Sequence, residues 1–223
     1  MRGRALETAL AANREKTVVR IKICGITQPE HGAEAARLGA DAIGLVFYDK
    51  SPRNVSIEQA RAVIAALPPF VSVVALFVNP AREWVEQVLS ACAVDVLQFH
   101  GEESAEFCRS FLRPYLKAVR VKPGVDLRQW AAAYPDARGL LTDAFVEGAH
   151  GGTGATFDWT LLPDDLPLPL ILSGGLDEHN IEEAVRRVKP AAVDVSSGVE
   201  AAKGIKDAAR MAAFISGARH GSV

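Results

Sequence analysis

Reactive and polar side chains stand at the ends of short apolar runs in this chain. The run "VVRIKICG" closes on Cys24, "DVLQFHG" on His100 and "GLLTD" on Asp143. A thiol, an imidazole and a carboxyl are groups that exchange protons in catalysis. A second group of residues suits anions. Glycine-rich turns occur late in the chain, "GGTG" at 151–154, "SGGL" at 173–176 and "SSGVE" at 196–200. Glycine lets backbone approach a ligand and aim N–H groups at it. A helix N-terminus beside such a turn adds its dipole, and together they suit a phosphate. The segment "YDKSPRNVS" (48–56) holds Arg53 in a Ser-Pro turn. Its guanidinium suits a carboxylate; spacing alone slightly favours a solvated loop arginine.

These residues need elements to position them. Eight short β-rich runs alternate with helical patterns: 18–24, 42–47, 72–78, 95–100, 115–121, 139–143, 168–173 and 192–196. Val85, Val88, Leu89 and Cys92 repeat at helical spacing, as do Ile181, Ala184, Val185 and Val188. Ile57, Ala60, Ile64 and Leu67 form a third such face, with Ser56 as N-cap and Pro68-Pro69 as the stop. Eight βα units in a chain of 223 residues predict a single closed (β/α)8 barrel over 18–223. Residues 1–17 read as a helical or frayed extension. An open doubly wound sheet would carry GxGxxG after its first strand, and the first turn here is CGIT.

In such a barrel, functional groups gather at the C-terminal strand ends. Alternation puts Lys22 with Cys24, Gln98 with His100, Leu141 with Asp143 and Asp194 with Ser196 on inward faces. A lysine facing inward needs a counter-charge. Asp194, on the strand that closes the barrel against the first, is the expected partner. The glycine-rich stretch 144–158 lacks periodicity and reads as a functional loop.

Composition narrows the partners. Net charge is −2, with no basic run, which gives no reason to expect nucleic acid. No apolar run reaches the ~20 residues needed to cross a bilayer, so no membrane partner is expected. The three cysteines, Cys24, Cys92 and Cys108, are too few and too dispersed for a disulfide framework or a four-cysteine metal site, and fit reduced thiols in a cytoplasmic protein. No GxxxxGK[ST] motif is present. Pattern alone thus reaches a barrel enzyme acting on a phosphorylated small molecule.

A set of motifs goes further. "KICGIT", "GADAIGLVFYDKSPRNVS", "FVN", "QFHGEES", "LLTD", "GGTGATFDW", "LSGGL" and "AVDVSSGVE" stand in order from about residue 18 to 217. Together they resemble the phosphoribosylanthranilate isomerase family of tryptophan biosynthesis. The resemblance implies a (β/α)8 fold, no metal and no organic cofactor, and an intramolecular aldose–ketose isomerase; the sequence leaves monomer and homodimer both open. The reaction it implies is the Amadori rearrangement of N-(5-phosphoribosyl)anthranilate to 1-(2-carboxyphenylamino)-1-deoxyribulose 5-phosphate. By motif position, Cys24 is implied as general base and Asp143 as general acid. Arg53 would hold the anthranilate carboxylate, and His100 would line the site without being essential. The phosphate would rest on Gly154, Gly174, Gly175, Ser197 and Gly198. Asn54, Phe99 and Ala155 depart from the commoner family pattern without touching the acid or the base.

The reaction explains the thiol. Opening the ribose ring needs a proton on the ring oxygen, and the C2 proton must then leave while the C1 iminium accepts the electrons. An ordinary aspartate (pKa ~3.9) is ionised at neutral pH, and an ordinary thiol (~8.5) is mostly protonated. Asp143 therefore needs desolvation or a nearby negative charge, and Cys24 needs helix ends or amides that favour its thiolate. Two other classes fit parts of the pattern. A related sugar-phosphate isomerase would usually carry carboxylates at both strand ends. A non-catalytic phosphate-ligand-binding barrel would have no need of Cys24 and Asp143 together.

Overall fold

The computed structural model describes residues 18–144 and 158–222, with the side chain of Ala144 outside the description. Eight parallel strands close into a barrel in sequence order. They are β1 (Arg20–Cys24), β2 (Ala42–Val46), β3 (Ser72–Phe77), β4 (Val96–Phe99), β5 (Tyr115–Val121), β6 (Gly139–Ala144), β7 (Leu170–Leu172) and β8 (Ala192–Val195). Each lies within or one residue beyond its expected run.

Seven α-helices connect them among the described residues: α1 (Pro29–Leu38), α2 (Ile57–Ala65), α3 (Arg82–Ala91), α4 (Ala105–Arg109), α5 (Leu127–Ala133), α6 (Ile181–Val188) and α7 (Ala208–Gly221). Between β6 and β7 the described part of the connection is a 3-10 turn, Trp159–Leu161. After β8 a 3-10 turn (Ser197–Val199) leads into a small antiparallel ribbon, β9 (Glu200–Ala202) and β10 (Ile205–Lys206). That ribbon was not foreseen from the sequence.

Local chemistry sets the boundaries. Ser56 caps α2 in a full capping box with Gln59, as the sequence predicts. Ser104, Asp126 and Asp207 cap α4, α5 and α7. Gly39 ends α1 at φ 105°, a conformation that glycine adopts freely. Cys92 sits one residue past the end of α3 as its C-cap and packs into the core, so it belongs to the helix terminus rather than its face.

Alternation along each strand sorts the side chains. Ile21 and Ile23 join the large core between sheet and helices, with Val85, Val88, Ile181 and Phe214. The opposite face points into the barrel. There Ala118, Leu141 and Ile171 form one apolar layer, with Leu116 and Ala192 against it. Nearer the C-terminal ends lies a second group, Cys24, Val46, Leu76 and Val78. The barrel is therefore filled from below, and its polar side chains stand at the mouth, as layered barrel interiors require.

Candidate active site

The pairing of β1 with β8 puts Lys22 opposite Asp194 in register. Their side chains meet as expected, Lys22 Nζ lying 2.7 Å from Asp194 Oδ1 with both groups buried. Cys24 follows two residues on, 4% exposed. Opposite it in register is Gly44 of β2. A Cβ at Gly44 would fall 2.7 Å from the Cys24 sulfur and 3.1 Å from Lys22 Cε, so the absent side chain gives both groups their space. Burial pushes the Cys24 thiol above its ordinary pKa; the Lys22 ammonium acts against that shift and Asp194 with it. Burial likewise opposes the Lys22 charge, but Asp194 and Cys24 leave its pKa raised.

Arg53 is not a solvated loop residue. It is 8% exposed, and its Nε and Nη2 each donate to Glu200 over 2.7 Å, a two-pronged pair. Lys206 Nζ donates to the same carboxylate at 2.8 Å and to the Ser196 carbonyl at 2.9 Å. Burial works to raise the Glu200 pKa, yet Arg53 and Lys206 hold it below the usual carboxylate value. The turn after β1 must be glycine: Gly25 has φ 73°, and a Cβ there would press to 2.5 Å from Arg53 Cδ.

On the other side of the mouth, His100 Nε2 lies 3.2 Å from Asp143 Oδ2, and its Nδ1 lies 3.1 Å from Gln98 Nε2. All three side chains are buried. Arg120 of β5 is the register partner of Asp143. One cavity at the C-terminal mouth is bordered by Cys24, Arg53, His100, Asp143, Ser173 and Ser196. Cys24 and Asp143 thus reach the same space from β1 and β6, three strands apart around the ring.

The glycine turns after β7 and β8 pack on one another. Gly174 and Gly175 have φ of 88° and 64°. A Cβ at Gly198 would lie 2.0 Å from the Leu176 carbonyl oxygen, closer than any side chain allows. The 3-10 turn begins at Ser197, so its first N–H groups have no acceptor within the turn itself. Asn180 ties the preceding turn together, donating to the Gly175 carbonyl and accepting from the Asp177 N–H. Gly154 and the 145–157 part of the expected loop lie outside the described residues.

Phe47 and Asn79, which follow β2 and β3, do not border this cavity. Phe47 stacks on Phe77 in the core, and Asn79 pins the Glu102 N–H with its side chain. Sequence reasoning missed Glu200 and Lys206. Glu200 lay inside a quoted motif, and a charged residue closing a glycine turn was its available signal. Lys206 gave none, because the ribbon that carries it is too short to show periodicity.

Fold and site together define the class: a (β/α)8 barrel enzyme whose C-terminal mouth brings a thiol and a carboxyl to one cavity, with glycine turns at the last two strand ends. A family model described as N-(5'-phosphoribosyl)anthranilate isomerase matches residues 21–217. The N-(5'-phosphoribosyl)anthranilate isomerase of Pseudomonas aeruginosa (strain LESB58) is 61% identical over 201 residues, covering 90% of this chain and 95% of that protein. Two structures of the Thermotoga maritima phosphoribosylanthranilate isomerase, one of monomers generated from the dimeric enzyme, are 42% and 40% identical with TM-scores of 0.82 and 0.78. Each comparison covers 90% of this chain and 98% of the other. A further structure of such an isomerase, in complex with reduced 1-(o-carboxyphenylamino)-1-deoxyribulose 5-phosphate, is 41% identical with a TM-score of 0.80 over 90% of this chain and 98% of that one. The chain belongs to the N-(5'-phosphoribosyl)anthranilate isomerase family, and is an isomerase.

Proposed function

We propose that the chain converts N-(5-phosphoribosyl)anthranilate to 1-(2-carboxyphenylamino)-1-deoxyribulose 5-phosphate in tryptophan biosynthesis, with Asp143 as general acid and Cys24 as general base. The observation that carries the reading is that both groups border one cavity from separate walls of the barrel. Asp143 gives a proton to the ribose ring oxygen as the C1–O bond breaks and the anilino nitrogen forms the C1 iminium. The Cys24 thiolate then takes the C2 proton, the C–H electrons moving toward the iminium. The resulting enolamine tautomerises to the ketone.

His100 touches the acid and orients it, which suits a lining role. Arg53 offers the substrate carboxylate the part of its guanidinium that Glu200 leaves unused, since Glu200 occupies its Nε–Nη2 edge. The phosphate lies on the turns of Gly174, Gly175, Ser197 and Gly198, with Gly154 as a further contributor. Three cysteines without disulfides suit a reducing compartment, and we place the enzyme in the cytoplasm as a monomer or homodimer.

The test is the fluorescence of anthranilate during turnover. Added enzyme should quench emission of freshly formed phosphoribosylanthranilate at a rate proportional to enzyme; no acceleration over the buffer control would refute the reading.

A further inference from the structure

Lys22 is a costly residue at its position. It is 5% exposed, on the inward face of β1, and its Nζ is bound to Asp194. Apolar residues of similar volume close such positions with equal or better stability, so a buried ion pair is weak evidence of a stabilising role. The neighbouring inward layer of this barrel is indeed apolar. What distinguishes Lys22 is its place: Gly44 opens a single pocket on β2 into which both the Lys22 stem and the Cys24 sulfur fit.

We propose that Lys22, held by Asp194, is a positioning residue that stabilises the Cys24 thiolate while it takes the substrate proton. The inference rests on Cys24 being the general base. The charges bearing on the sulfur come from several elements. Lys22 lies on β1, Asp194 on β8, Arg53 after β2, Glu200 on β9 and Lys206 on β10. Among the described residues these pairs set three cations against two carboxylates, and a thiolate matches the third cation. Asp143 and His100 face the same cavity from β6 and the end of β4. Within this set Lys22 is the cation that acts most strongly on the thiol, opposing the larger penalty of burial. Asp194 has two opposed effects: it fixes the ammonium, and its own charge disfavours a second anion beside it.

The test reads Cys24 directly. Peptide-resolved alkylation by iodoacetamide is followed from neutral to alkaline pH in wild type, Lys22→Gln, Lys22→Arg, Asp194→Asn and the doubly neutral Lys22→Gln/Asp194→Asn. The double variant keeps a hydrogen-bonding pair without charge, so it folds even where the single variant strands a buried carboxylate. The alkylation midpoint at Cys24 should rise by about one pH unit or more in Lys22→Gln relative to wild type, and in the double variant relative to Asp194→Asn, because each pair differs only at Lys22. In Lys22→Gln kcat should fall ~10-fold or more with little change in KM, and Lys22→Arg should recover part of both. Equal Cys24 midpoints in the double variant and in Asp194→Asn, which differ only at Lys22, would overturn the inference, as would an unchanged midpoint in folded Lys22→Gln. Failure of the base assignment looks different: Cys24→Ala would then turn over normally, whatever the alkylation profile shows.

Discussion

Two buried ion clusters occupy opposite faces of the same sheet, and they are built differently. Between the sheet and the helices, Lys117 of β5 is fully buried and bound to Glu103 at 3.0 Å and to the Gly101 carbonyl at 2.5 Å. Glu103 accepts in turn from the N–H groups of Gly101 and Asn79, while Trp130 and Tyr134 lie within 6 Å of the ammonium. One cation meets one carboxylate, and both carboxylate oxygens are engaged. At the barrel mouth, among the described residues, the ion pairs of Lys22, Arg53 and Lys206 are with two carboxylates, Asp194 and Glu200, and Arg53 and Asp194 also border the cavity. A closed cluster fixes backbone, here the loops after β3 and β4. An unbalanced one beside a cavity has charge left for a ligand or a reacting group.

Substitutions sharpen the contrast. The largest effect is expected at the mouth: Asp143→Asn should cut kcat by ~10²–10⁴-fold, measured by the fluorescence assay, with the folded state intact by urea titration. Lys117→Met should do the reverse. It strands the buried Glu103 carboxylate and should cost about 3–5 kcal/mol in urea unfolding, while turnover per folded molecule stays near wild type. Neutralising Glu103 as well should recover most of that loss.

Arg53→Ala should raise KM about tenfold or more, because a hydrogen bond to a charged group contributes ~1.5–3 kcal/mol. The acid side of the stability profile tests Glu200. Its carboxyl is held below the ordinary value in the folded state, so its contribution is complete above the unfolded pKa and disappears as pH falls through the folded one. Glu200→Gln should therefore flatten the loss of stability in acid, read as the unfolding midpoint against pH. The smallest effect is local: Ser56→Ala removes one arm of the α2 capping box and should cost ~1 kcal/mol without changing turnover.

The eight strands were legible because buried parallel strands read as short apolar runs, and the alternation within β1 and β8 was enough to pair Lys22 with Asp194. Ser56 was legible for the same reason, as cap chemistry is local. The partner of Arg53 was not. Glu200 reaches Arg53 from a ribbon 147 positions along the chain, and Lys206 of the same ribbon binds Glu200 in turn, on strands of three and two residues. No periodicity forms in so short a span. The Lys117–Glu103 cluster was hidden differently: a lysine in an apolar strand reads equally as inward, outward or solvated until the covering helix supplies Trp130 and Tyr134.

The assignment of the thiol is tested most directly by Cys24→Ala, assayed for turnover of phosphoribosylanthranilate and for affinity toward a reduced product analogue. Turnover should drop at least ~100-fold while affinity for the analogue stays within a few-fold of wild type. Turnover close to wild type would contradict a proton-abstracting role for this sulfur.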